Sequence, residues 1–244
     1  MSRHHIGTSG WHYPHWVERF YPAELPKDEW LAWYAQRLPA VEINASFYQS
    51  LTLEQVEHWR AAVPIDFTFA VKAPRYITHL RKLRDCGDAL ARFLAPLAGF
   101  GHQLGPLLFQ LPPRWRRNAT RLAAFLKLLP GDHRCAFEFR DPDWHHPEIY
   151  ELLEEHGAAF CIFDLAGETS PLACTADFVY VRLHGPAGAY AGRYSAAALK
   201  RWATHIAAWQ RQHKDVYLYF NNDQAGYAVK NTLYLNDYLR ELAP

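Results

Sequence analysis

The stretch Phe178-Val179-Tyr180-Val181-Arg182-Leu183-His184 alternates two kinds of residue. Val179, Val181 and Leu183 are apolar, whereas Tyr180, Arg182 and His184 carry polar atoms. Successive strand residues face opposite sides of a sheet, so one side of this segment is oily and the other chemically functional. Val216-Tyr217-Leu218-Tyr219-Phe220-Asn221 repeats the arrangement, with Tyr217, Tyr219 and Asn221 on the polar-capable side. A closed parallel barrel has this division, with one side against helices and the other in the lumen.

Six further β-rich runs precede these two: Ile6–Ser9, Ala40–Asn44, Phe67–Lys72, Leu107–Leu111, Cys135–Arg140 and Ala159–Asp164. Between the runs lie helical patterns at Asp28–Leu38, Thr52–Ala62, Asp85–Leu97, Ala119–Leu129, Pro147–His156, Ser195–Gln212 and Tyr227–Leu242. Thr52 and Gln55 have capping-box spacing, Ser195 is placed as an N-cap, and Gly157 as a C-terminal stop. The alternation predicts βαβ units and a parallel sheet. Eight units in 244 residues predict a single α/β domain over 1–244, a (β/α)8 TIM-barrel-like fold. The rival is an open doubly wound sheet. No G-x-G-x-x-G follows the first strand, so a dinucleotide site has no support.

Half of the residues are hydrophobic and 21% are charged, which excludes disordered, collagen-like and coiled-coil chains. The net charge of +1 gives no general electrostatic reason to bind nucleic acid or a membrane. Cys86, Cys135, Cys161 and Cys174 form no C-x-x-C and read as free thiols. Phe93 to Pro113 lacks Asp, Glu, Lys and Arg, but its glycines and prolines make it helix end, loop and strand rather than a membrane span. No signal-peptide pattern follows Met1, so a cytoplasmic protein is expected. The oligomeric state is not set by these features.

The inward rule applied to every strand collects Glu42 and Asn44, Lys72, Gln110, Glu138 and Arg140, Asp164, Tyr180, Arg182 and His184, and Tyr217, Tyr219 and Asn221. On seven strands the charged or amide groups lie at the C-terminal end, where active sites of this fold sit. Charges are costly in a dry barrel centre and can meet ligand and water at its mouth. As a mouth residue, Arg182 is expected to be removable without loss of the fold.

The same strand ends carry a family resemblance. The matching stretches are Gly7-Thr8-Ser9-Gly10-Trp11, Val41-Glu42-Ile43-Asn44 with Phe47-Tyr48, Phe69-Ala70-Val71-Lys72-Ala73-Pro74, and Leu108-Phe109-Gln110-Leu111-Pro112-Pro113. Later come Glu138-Phe139-Arg140 with Trp144, Arg182-Leu183-His184-Gly185, and Tyr219-Phe220-Asn221-Asn222-Asp223. In this order they resemble the YecE-like family, a domain of unknown function. The resemblance implies a TIM-barrel-like fold and hands over no reaction. The family is also distantly similar in architecture to the endonuclease IV and xylose isomerase barrels. One departure is Ala45-Ser46, where the family commonly has Ser-Thr.

Chemically, Glu42, Lys72, Glu138, Asp164 and His184 are the candidate catalytic groups. Glu42 and Glu138 could act as acid and base. Lys72 could form a Schiff base were its pKa lowered, but nearby carboxylates are expected to hold it charged. Candidate ligand-binding residues are Trp11, Asn44, Tyr48, Arg75, Gln110, Arg140, Trp144, Arg182, Gly185, Asn221 and Asn222. The arginines suit phosphate or carboxylate, and the aromatics could stack on a sugar or base. The glycine-rich loop Gly185–Gly192 runs into a helix and is expected to offer backbone N–H groups to an anion. No cofactor is called for. Glu42, Glu138, Asp164 and His184 could hold a divalent metal, but no H-E-x-x-H occurs and none is expected. The leading expectation is an enzyme, a hydrolase or isomerase, acting on a small phosphate- or sugar-bearing anion. The alternatives are a nucleic-acid-processing barrel and a ligand-binding protein without turnover.

Overall fold

A computed structural model describes residues 2–242. Eight parallel strands form the barrel: β1 (His4–Ser9), β2 (Ala40–Ile43), β3 (Thr68–Lys72), β4 (Leu104–Leu111), β5 (Cys135–Phe139), β6 (Ala159–Leu165), β8 (Phe178–Leu183) and β9 (Asp215–Phe220). A two-residue strand, β7 (Glu168–Thr169), pairs antiparallel with β6 as a small hairpin. The pairing runs β1-β2-β3-β4-β5 on one side and β1-β9-β8-β6 on the other. It closes through Ala136↔Ala159 and Phe137↔Phe160, between β5 and β6. The sheet is therefore a ring, as the alternation predicts, and the open-sheet rival is excluded.

The helices are α1 (Trp30–Ala35), α2 (Leu53–Ala61), α3 (Gly87–Leu94), α4 (Ala119–Leu126), α5 (Pro147–Glu155), α6 (Ala196–Arg211) and α7 (Tyr227–Leu242). Each falls within or upon its predicted pattern. Thr52 and Gln55 make the reciprocal capping box of α2, and the Ser195 hydroxyl accepts from the Ala198 N–H to start α6. The Asp28–Leu38 pattern divides into a 3-10 turn at Lys27–Glu29 and the short α1. Strand β4 starts three residues earlier than predicted. Gly105 and Pro106 argue against a strand there, but the register with β3 is irregular between Phe69 and Val71, and that irregularity accommodates a residue without an N–H.

Two apolar cores result. Outside the ring, Ile6, Val41, Val71, Phe109, Phe137, Ile162, Val181 and Leu218 pack against the helices. Inside it, Ala40, Ala70, Ala136 and Ala159 leave room for Leu108, Cys161, Phe178, Tyr180, Tyr217 and Tyr219. Gly7 lies where a Cβ would come within 1.9 Å of the Ala40 carbonyl oxygen, so β1 tolerates no side chain at that point. The N-terminal end of the barrel is plugged by His5 stacked on Tyr217 with ring centroids 4.7 Å apart. Arg134 donates to Asp215 and to the Tyr217 hydroxyl, both at 2.8 Å. With that end filled, the inward polar groups lie toward the C-terminal mouth. Cys86, Cys135 and Cys161 are buried free thiols, and Cys174 is free and half-buried. No helix among the described residues is long and apolar enough to cross a membrane.

Candidate functional site

The upper layer of the barrel interior is an ion network. Arg182, on β8, donates through Nη2 to Glu42 Oε1 and through Nη1 to Glu138 Oε2, both at 2.7 Å. Glu42, on β2, also accepts from the Ser9 hydroxyl at 2.5 Å and the Tyr180 hydroxyl at 2.7 Å. Glu138, on β5, is paired a second time by Arg140 Nε. Arg140 Nη2 donates to His184 Nε2 at 2.8 Å, and the Asn221 side-chain amide lies 3.2 Å from His184 Nδ1. His184 Nε2 also lies 3.3 Å from Glu138 Oε1, so this nitrogen stands between a guanidinium and a carboxylate, and burial keeps the ring neutral near pH 7.

Parallel registers put these groups side by side. Ser9 pairs with Glu42, Gln110 with Glu138, and Arg182 with Tyr219. Arg140, His184 and Asn221 stand one position past their strands, at the rim. Glu42, Glu138 and His184 have no exposed surface, and Arg182 retains 1%. Charges buried this deeply persist only when paired and hydrogen-bonded.

The electrostatics follow from that packing. Burial alone would raise the Glu42 carboxyl, but the Arg182 guanidinium with the Ser9 and Tyr180 hydroxyls outweighs it and holds the group below its usual range. Glu138 behaves likewise. Burial pushes it up, and Arg140, Arg182 and His184 pull it well below the ordinary carboxylate value. Burial lowers His184 to about 4 despite the Glu138 carboxylate. Both glutamates are thus ionised and committed to guanidiniums. As arranged, neither is a protonated acid or a free base, contrary to the acid–base roles expected for them.

Lys72 differs from every other charged group in the layer. It reaches inward from β3, beside Leu108 in the register. Its ammonium lies 4.2 Å from the centre of the Phe47 ring. No hydrogen bond or ion pair joins it to a described residue, because the nearby carboxylates are taken by Arg182 and Arg140. Burial, then the Arg182 charge, lowers it to about 8, with Glu138 and Glu42 opposing and Arg140 adding to the fall. Lys72 therefore stays mostly charged at pH 7, as expected, but without a carboxylate paired to it. Two carboxylates therefore face three cations around a neutral His184.

Several other candidates lie elsewhere. Asp164 faces away from the lumen. Its register partner is Leu183, whereas Phe163 pairs with Arg182, so strand periodicity puts Phe163 inside and Asp164 outside. The Asp164 carboxylate accepts from the Tyr194 hydroxyl at 2.6 Å and from Thr169 at 3.0 Å. The conceivable metal set loses that member, and among the described residues no three His, Cys, Asp or Glu side chains come together as ligands. Gly185 sits at φ 114°, where a Cβ would meet the Ala191 oxygen at 2.2 Å. Its N–H is taken by the Tyr194 hydroxyl at 3.0 Å. The N–H groups of Ala187, Ala191 and Gly192 also have partners within the protein, so these three and Gly185 are not free to bind an anion as the loop stands.

Trp144 is core: it is fully buried, stacks on Phe139 and donates to the Trp115 carbonyl at 2.5 Å. Asn222 is buried and holds Gly192 and Asn231. Tyr48 and Arg75 are exposed on the outer rim. Arg182, expected to be dispensable, is the centre of the network. Gln110 is 9% exposed and faces inward with Glu138.

Asn44 and Trp11 line a groove of about 630 Å³ between the loops after β1 and β2. This groove is not centred on the ion network but borders it: Gly10 donates to the Glu42 carbonyl, Tyr13 to the Ser9 carbonyl, and Asn44 has a buried Oδ1 without a partner. Trp11 meets Trp59 edge-on at 5.1 Å along its wall.

Sequence reasoning gave no side-chain role to Ser9, Phe163 or His79, and took Phe47 only as a stacking aromatic. Ser9 shares parity with Gly7, and Phe163 with Cys161, so strict alternation finds both once polarity is ignored. Phe47 and His79 lie beyond strand ends, meeting edge to face at 5.1 Å, and carry no periodic signal.

Comparison with known proteins agrees with the resemblance read from the strand ends. The chain is 31% identical to the UPF0759 protein YunF of Bacillus subtilis, over 93% of this chain and 91% of that protein. It is 32% identical to the UPF0759 protein YecE of Escherichia coli over 62% of this chain, an alignment spanning 52% of that protein. A solved structure of a DUF72 family protein from Thermotoga maritima superposes with a TM-score of 0.86 at 26% identity, covering 98% of this chain and 99% of that one. The model of the family described as Protein of unknown function DUF72 matches residues 5–243, and the chain belongs to that family.

Proposed function

We propose that the protein is an enzyme acting on a small anionic, phosphate- or sugar-bearing metabolite at the C-terminal mouth of the barrel. The observation that carries this reading is the unpaired Lys72 ammonium above a network whose carboxylates are already committed. A half-buried cation with no partner costs free energy that one anionic group of a ligand would recover. Arg140 leaves Nη1 without a partner among the described residues and adds to the same field. Asn44 and the Trp11 wall of the adjoining groove supply contacts for the neutral part of the ligand. Glu42 and Glu138 position the guanidiniums. Lys72 is the inward group whose lowered pKa, about 8, lies nearest the working range of acid–base chemistry.

Thermal shift with inorganic phosphate and a panel of sugar phosphates tests the reading. A ligand at a hundredfold excess over Kd adds about 2.7 kcal/mol, or roughly 5–10 °C for a chain of this size. Lys72→Met should lose most of that shift. The reading fails if no member of the panel stabilises the protein, or if Lys72→Met is stabilised equally. A second reading, binding without turnover, draws on the committed state of both glutamates; a stabilising ligand recovered chemically unchanged after prolonged incubation would favour it.

A further inference from the structure

We propose that Lys72 forms a covalent imine with a small carbonyl compound, an aldehyde, ketone or 2-oxo acid, that enters the barrel mouth. The inference rests on reading the mouth as a ligand site and adds the class of chemistry done there. The geometry is that of an amine held ready for attack. Lys72 ends β3 on the inward face, its Nζ lies against the Phe47 ring, and no carboxylate or carbonyl of the described residues accepts a hydrogen bond from it.

The groups that bear on its charge are few. Arg182 and Arg140 disfavour a second cation, Glu138 and Glu42 oppose them, and His79 and Arg75 lie on the rim side. Glu42 and Glu138 are each already balanced by at least one guanidinium, so neither is left over to pair with Lys72. Burial then brings Lys72 to about 8, so that an appreciable fraction is free amine near neutral pH. Adjacent positive charge and a desolvated pocket are the two means by which a lysine becomes a nucleophile.

The step balances without a co-reactant. The Nζ lone pair attacks the carbonyl carbon, the C–N bond forms, and the carbonyl π pair moves to oxygen, giving a carbinolamine after proton transfer from nitrogen to oxygen. Loss of the hydroxyl with one further nitrogen proton, as water, leaves C=N. Arg140 Nη1 is a donor available to the carbonyl oxygen or to a neighbouring carboxylate.

The experiment is reductive trapping of the full-length protein at pH 7, with peptide mapping by mass spectrometry. The probes are pyruvate and glycolaldehyde, each with cyanoborohydride. Lys27, Lys82, Lys127, Lys200, Lys214 and Lys230 serve as internal controls in the same chain. A lysine at about 8 rather than near 10.5 holds on the order of a hundredfold more free amine at pH 7. Lys72 should therefore carry the reduced adduct at least tenfold in excess of each control. Excess ligand from the thermal-shift panel should suppress it. Labelling of Lys72 no faster than the controls with both probes overturns the imine. That result leaves the anion reading standing if the panel still stabilises the protein. Selective labelling by glycolaldehyde with no stabilisation by any anion supports the imine and removes the anion.

Discussion

Replacing Arg182 by Met tests whether the inward layer is a structural network or a set of loosely held mouth charges. The side chain is 1% exposed and joins two carboxylates that have no exposed surface. Methionine keeps the apolar stem but is shorter and uncharged, so the perturbation is mainly electrostatic with a modest cavity added. Glu138 keeps Arg140. Glu42 keeps only the Ser9 and Tyr180 hydroxyls. Breaking a buried pair by removing one partner costs about 3–5 kcal/mol, a large share of the roughly 5–15 kcal/mol that holds a domain together. For a chain of this size that is a fall of roughly 6–20 °C in Tm.

The loss should depend on pH. Without Arg182, burial dominates and the Glu42 carboxyl rises above its unfolded value. A group so raised is stabilising when protonated, so Arg182→Met should be least damaged at acidic pH and lose stability as pH rises through the new Glu42 value. The assay is urea unfolding of wild type, Arg182→Met and Arg182→Met/Glu42→Gln between pH 5 and 8. The double variant removes the stranded charge and should recover at least 1–2 kcal/mol (order of magnitude) relative to the single one. A single variant within about 1 kcal/mol of wild type, or a double variant less stable than the single, refutes the reasoning.

Two further outcomes follow from the same charges. Lys72→Met should raise stability at pH 7, by up to about 3 kcal/mol if the full drop from 10.5 to about 8 is relieved; a lower Tm than wild type would mean that the ammonium has a partner. His184, with no exposed surface, is lowered from 6.5 to about 4, so between those values the unfolded chain binds a proton that the folded chain refuses. Stability should therefore fall as pH drops from 6.5 toward 4, by up to about 3 kcal/mol for this residue, and His184→Gln should show a shallower fall in urea unfolding; Asp223, raised to about 6, works in the opposite direction and is common to both proteins.

The barrel was legible in the sequence because its cause is local. Period-two alternation in Phe178–His184 and Val216–Asn221, repeated across eight runs with helices between, leaves few other ways to bury both faces. The same alternation named Glu42, Lys72, Gln110, Glu138, Arg182 and His184 as inward. It failed at Asp164, where polarity was trusted over parity; only the register with β8 shows that Phe163 is the inward residue. What tertiary structure alone decided is which charges cancel. Glu42, Glu138 and Arg182 come from strands separated by tens of residues, and their pairing depends on interatomic distances of 2.7 Å that no pattern encodes. Coulomb energy in a dry interior varies steeply over such distances. Hence the chain's composition could supply three cations and two carboxylates to the mouth, but only the closed ring could leave Lys72 as the one without a partner.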